Sequence, residues 1–134
     1  MNDESDLAIA AEPVSDGAPR DIHERTKAFA VRIVKLSQAL PRSREADVVG
    51  RQVLRCGTSV GAHCREAYRA RSTAEFISKV HGALMELEES LYWLELLAES
   101  GIVPRRRLES LCSEADQLLA VLTASVETAK SRRE

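Results

Sequence analysis

An all-α chain folded as an antiparallel up-and-down four-helix bundle is what this sequence of 134 residues predicts. Three observations carry the prediction. Glycine and proline are scarce, at six and four residues, and the abundant Ala, Leu, Glu and Arg lose little side-chain freedom in a helix. From Ser72 to Ala98, apolar residues recur at alternating steps of three and four, so Ile77, Val80, Leu84, Leu87, Leu91, Leu94 and Ala98 form one stripe. That spacing marks a helix of a left-handed bundle. Caps and breakers then divide the chain into four helices with short connections, for which up-and-down closure is the simplest architecture.

Residues 1–19 come first; they are acidic, carry Pro13, Gly17 and Pro19, and show no sustained apolar period. They are expected to be a disordered tail, with the bundle domain spanning 20–134. Asp21, three residues before Glu24, suits the start of the first helix, because both side chains can satisfy free amides there. Phe29, Ile33, Leu36 and Leu40 supply its stripe, with Val34 beside it, and Pro41 ends it. Ser43 caps the second helix, whose inner face is Ala46, Val49, Val53, Cys56, Val60 and Ala67. Gly50, Gly57 and Gly61 interrupt that helix, each at about 1 kcal/mol relative to Ala. A packing benefit should offset the loss, with a bulky neighbour such as an aromatic of the third helix approaching the backbone.

Ser72 and Glu75 form a capping box that opens the long third helix, and Gly101 closes it in a left-handed cap. Pro104 suits the first position of the fourth helix. Leu108, Leu111, Ala115, Leu118, Leu122, Ser125 and Ala129 repeat the heptad stripe there, with Cys112, Leu119 and Val126 alongside. The end of the third helix is apolar on most of its circumference. Tyr92, Trp93, Leu96 and Leu97 exceed what one intramolecular seam uses, which predicts an oligomer interface.

Charge is distributed unevenly. Residues 1–24 hold seven acids against Arg20, a net −6 that leaves +4 on the remainder. Arg51, Arg55, Arg65, Arg69 and Arg71, with the Arg105-Arg106-Arg107 run, are the candidate nucleic-acid-binding residues, and any binding through them should be sequence-tolerant and salt-sensitive. The third helix instead carries Glu86, Glu88, Glu89, Glu95 and Glu99, so ion pairs between adjacent helices or subunits are expected. No aromatic residues interleave with the arginines for base stacking.

Catalytic chemistry has little to stand on. Glu66 and Glu86 could serve as acids, but no motif supplies a nucleophile, oxyanion donors or a phosphate-cradling loop. Cys56, Cys64 and Cys112 each occupy a small apolar position, as buried free thiols do in a reducing compartment. Cys56, His63, Cys64 and His81 lack a compact chelating spacing, so neither a metal nor another cofactor is expected. No apolar run approaches the roughly 20 residues that cross a bilayer, and the start lacks a secretory pattern, so a cytoplasmic protein without a membrane partner is expected.

The blocks Gln52 to Ala67, Ala70 to Ile77 and Glu86 to Leu97 resemble a bacterial four-helix-bundle family, the 23S rRNA intervening-sequence proteins. The resemblance spans roughly residues 25–130 and includes the Thr-Ser-Val-Gly-Ala-His-Cys-Arg-Glu-Ala run from Thr58 to Ala67, departing at His63, often Asn in the family, and at Cys64, usually Tyr or Ile. It implies a cytoplasmic, non-enzymatic homopentamer with an RNA linkage. It extends to the accessory protein of diversity-generating retroelements, a related branch that binds nucleic acid and its reverse transcriptase through a basic surface. Arg55, Ser59, Glu66, Glu75, Phe76, Glu86 and Glu89 match recurrent family residues and are expected to serve fold and assembly. Two functions follow: an oligomeric module that presents charge to RNA or to a protein partner, or a purely structural scaffold or mobile-element remnant without nucleic-acid affinity.

Overall fold

Helix α1 (Ile22–Ala39) begins where Asp21 accepts a hydrogen bond from the His23 amide at 2.7 Å. The structure is a computed structural model that describes residues 21–133, so the acidic tail expected over 1–19 lies outside the described residues. Phe29, Ile33 and Leu36 point inward and are fully buried, whereas Leu40 is half-buried and Val34 exposed. Leu40 leaves the helix in an extended conformation, as the residue before a proline must to avoid its ring.

Helix α2 (Arg44–Ala67) starts at Ser43, whose hydroxyl accepts from the Ala46 amide at 3.1 Å. Its glycines do admit close neighbours, but from α1. A Cβ at Gly57 would lie 2.8 Å from Ile33, one at Gly50 would lie 2.8 Å from Leu40, and one at Gly61 would lie 3.2 Å from the Thr26 hydroxyl. The expected aromatic of the third helix is not the partner. The small side of α2 is the one that receives the β-branched and leucine side chains of α1.

Helix α3 (Thr73–Glu99) opens as a variant of the capping box. Ser72 accepts from the Glu75 amide at 3.1 Å, while the Glu75 carboxylate reaches one residue further back than usual, to the Arg71 amide at 2.7 Å. Val80, Ala83, Leu87, Ser90, Leu94 and Leu97 form its buried ridge, and Leu84, Leu91 and Ala98 sit at the edge. The ridge is wider than the heptad stripe because α3 is packed between α2 and α4. Buried Ser90 faces α2, with its hydroxyl donating to the Glu86 carbonyl at 2.7 Å and lying 3.3 Å from the Cys56 sulfur. Gly101 follows with φ at +78°, the conformation a side chain would strain.

Pro104 does not occupy the first turn of the last helix. It precedes a 3-10 turn over Arg105–Arg107, and α4 runs over Glu109–Arg133. Leu108, Leu111, Ala115, Leu118, Leu122 and Val126 of this last segment are buried, with Cys112, Leu119, Ser125 and Ala129 half-buried. Full burial of each leucine is worth about 1.5–3 kcal/mol, so this single core holds the four helices together. Consecutive helices pack side by side, completing the four-helix bundle; α1 and α4 close it through a thinner seam. There Arg25 clamps the buried Glu114 with two hydrogen bonds, at 3.0 and 3.2 Å, and Arg32 donates to Ser110 at 3.0 Å. Among the described residues, no helix is long and apolar enough to cross a membrane.

Candidate nucleic-acid interface

The candidate arginines fall into two groups at opposite ends of the bundle. Arg65, Arg69 and Arg71 lie where α2 ends and α3 begins, whereas Arg105, Arg106 and Arg107 lie beyond the far end of α3. Its 27 residues put about 40 Å between those ends. Arg51 and Arg55 lie further along α2, and the eight arginines make no single patch.

Several of these side chains are already engaged. Arg51 bonds Asp47 one turn earlier, at 2.6 Å. Arg55 crosses to α3, reaching Glu89 at 2.6 Å and Glu86 at 3.4 Å. Glu89 also accepts from the Trp93 indole at 3.0 Å. The Trp93 hydrogen bond first, and then Arg55, hold the Glu89 carboxyl below the usual carboxylate range. Arg71 donates its backbone amide to Glu75, which lowers that carboxyl in the same way. Lys79 meets Glu66 at 3.2 Å, and His63 approaches Glu86 at 3.8 Å. Opposite charges on α2 and α3 therefore pair within the subunit. Arg65 and Arg69 at one end, and Arg105 and Arg106 at the other, are exposed and make no ion pair among the described residues; Arg65 and Arg69 stand one turn apart.

The predicted oligomer surface needs correction at Leu97, which is fully buried inside the subunit. Trp93 and Leu96 are half-buried, and Trp93 packs on the core. Tyr92 is 57% exposed and stacks edge-on with Trp93 at 4.9 Å. Sequence reasoning missed Met85, which is 72% exposed and stands seven residues before Tyr92 on the same helical face. That signal was available in the heptad spacing, since Met85 lies outside the apolar stripe.

The two departures at His63 and Cys64 have local explanations. The His63 ring lies against Gly82, where a Cβ would come within 2.9 Å of Nδ1, so the glycine makes room for the ring. Cys64 is buried, and burial pushes its thiol up to about 11; burial likewise raises the Cys56 and Cys112 thiols. All three cysteines are free, although Cys112 is only half-buried. Among the described residues, no three of His, Cys, Asp and Glu gather to hold a metal ion.

The structure also assembles an aromatic group that is scattered in sequence. His23, Tyr68 and Phe76 meet at the end of the bundle, with centroids 4.8 and 5.6 Å apart in successive edge-on contacts.

Comparison with known proteins agrees with this architecture. No curated protein matches the chain. A crystal structure from Bacteroides thetaiotaomicron VPI-5482, described as a protein of unknown function from the S23 ribosomal protein family, is 38% identical with a TM-score of 0.75. The alignment covers 79% of this chain and 98% of that one. Residues 20–124 match the 23S rRNA-intervening sequence protein family, and that match over most of the chain, joined to a shared bundle, means that this protein belongs to the family.

Proposed function

We propose that this protein is a non-enzymatic, self-associating bundle of the cytoplasm that engages RNA through the end of α2. The observation that carries the reading is Arg65 and Arg69, two exposed guanidinium groups one turn apart without carboxylate partners among the described residues. Arg51 and Arg55 are engaged with carboxylates, while the guanidinium groups of these two have none among the described residues and suit phosphate. The family's description ties its members to intervening sequences of 23S rRNA, which supports RNA as the partner class. Met85 and Tyr92 supply an exposed face for a second copy, and the family resemblance suggests a ring of five. A ring would repeat the arginine pair on every subunit, so weak phosphate contacts would sum. The three thiols, raised by burial, stay protonated near neutral pH and provide no activated nucleophile.

A scaffold without nucleic-acid affinity is the second reading, favoured by the exposed Glu88, Glu95 and Glu99 of α3. Titration of a labelled structured RNA at low and moderate salt separates the two. Binding should weaken with salt and with Arg65→Glu/Arg69→Glu, in a variant that still assembles. No binding at low salt, or binding indifferent to salt and substitution, would favour the scaffold.

A further inference from the structure

Tyr68 stands at the C-terminal cap of α2, yet 52% of it remains exposed. Its ring is held by two near-perpendicular neighbours, His23 and Phe76, with interplanar angles of 74° and 64°. Beside it are two adjoining hollows of about 420 and 430 Å³, which share Tyr68, Phe76, Ala129 and Arg132 as walls. Arg71 lines the second. Among the described residues no carboxylate lines either hollow, although Glu75 stands 3.8 Å from the Arg71 guanidinium. Residues from three helices and a loop thus bring a fixed aromatic ring and two guanidinium groups together. The size falls within the range of ligand sites.

We infer that this notch holds one unpaired nucleotide of an RNA strand, its base against Tyr68 and its phosphate on Arg71 and Arg132. The inference rests on the RNA reading above and deepens it by naming a single-stranded partner. An aromatic ring takes any base on its face, and guanidinium groups bond phosphate oxygens in pairs. Arg71 and Arg132 are the charged residues among the described walls, and the Arg71 contact with Glu75 is long at 3.8 Å, so the hollows favour an anionic, flat ligand over a cationic one. A strand fits better than a free nucleotide because the hollows are open, and the exposed Arg65 in the last turn of α2 and Arg69 just past its cap offer further guanidinium groups to neighbouring phosphates. Tyr68 stands between Arg65 and Arg69, which corrects the expectation that no aromatic residue interleaves with the arginines, whereas its approach to Arg132 was hidden by the 64 residues between them.

The test uses the full chain and three probes: a single-stranded oligoribonucleotide carrying 2-aminopurine, the duplex of the same sequence, and adenosine monophosphate. Stacking should quench the fluorophore, and the single strand should bind more tightly than the duplex. Tyr68→Ala should weaken single-strand binding by about 5- to 100-fold, the equivalent of one lost stack. Tyr68→Phe should retain binding, which separates ring stacking from the hydroxyl. Arg132→Ala should weaken it too, and thermal melting of each variant checks that the bundle end stays folded. If Tyr68→Ala binds the strand like the parent while Arg65→Glu/Arg69→Glu does not, the notch is overturned and the RNA reading survives. Adenosine monophosphate binding as tightly as the strand would overturn it in favour of a small-molecule site. A parent that binds none of the RNAs would remove both proposals.

Discussion

Gly57 shows how one residue sets the distance between two helices. A methyl group there would meet Ile33 at 2.8 Å, and Ile33 is fully buried, so its side chain has nowhere to turn. Alanine gains about 1 kcal/mol in helix propensity, whereas overpacking a filled core costs about 1–3 kcal/mol. Gly57→Ala should therefore be destabilising by about 1 kcal/mol in urea denaturation. Gly50→Ala meets Leu40 at the same 2.8 Å, but Leu40 is half-buried at the end of α1 and can swing aside. That substitution should be neutral or stabilising. Equal losses at the two sites would show that the freedom of the neighbour is irrelevant. The glycines were visible in the sequence, and so was their need for a packing benefit; their partner was not, because periodicity locates a buried face without naming the helix that covers it.

At the scale of elements, the seam between α1 and α4 depends on polar contacts more than the other seams do. Glu114 is 4% exposed and held by both arms of the Arg25 guanidinium. Removing one partner of a buried pair leaves a charge without compensation, at about 3–5 kcal/mol. Arg25→Ala should lower the stability of the bundle by that order, and Arg25→Ala/Glu114→Ala should recover a large part of it. A loss under about 1 kcal/mol for the single variant, read by chemical denaturation, would show that packing alone secures α4. Arg25 and Glu114 are 89 positions apart, and no spacing rule joins residues on the first and last helices. The caps at Ser43 and Ser72 were legible for the opposite reason, since donor and acceptor lie within one turn.

For the whole molecule, the self-association proposed above draws on the outer face of α3. Met85 and Tyr92 stand in line with the exposed His81 and Glu88, and the bundle itself covers none of them. Self-association through this face predicts a mass several times 14.8 kDa by light scattering, five times if the family resemblance extends to assembly. Met85→Asp/Tyr92→Asp should return the mass toward that of one subunit, with helix content unchanged by circular dichroism, because neither side chain supports the core. Retention of the full mass would place the interface elsewhere. Trp93 is the less informative site, since its indole packs on the core and bonds Glu89, so its loss would disturb the subunit as well.

Local chemistry and periodicity by themselves determined four helices, their caps, the breaks at Pro41 and Gly101, and most of the core, because each of these is settled within a few residues of chain. The tertiary structure decided the rest. It moved Leu97 from a predicted subunit surface into the core, since α3 packs against both α2 and α4 and its buried ridge is wider than one stripe. It bound Arg55 to Glu86 and Glu89 while leaving Arg65 and Arg69 without an ion pair among the described residues, a distinction that depends on which carboxylates the neighbouring helix brings within reach. Tyr68, Phe76 and Arg132 likewise came together only when the end of α2, the start of α3 and the end of α4 met at one end of the antiparallel bundle, because a helix pattern records which way a residue faces and carries no information about what stands opposite.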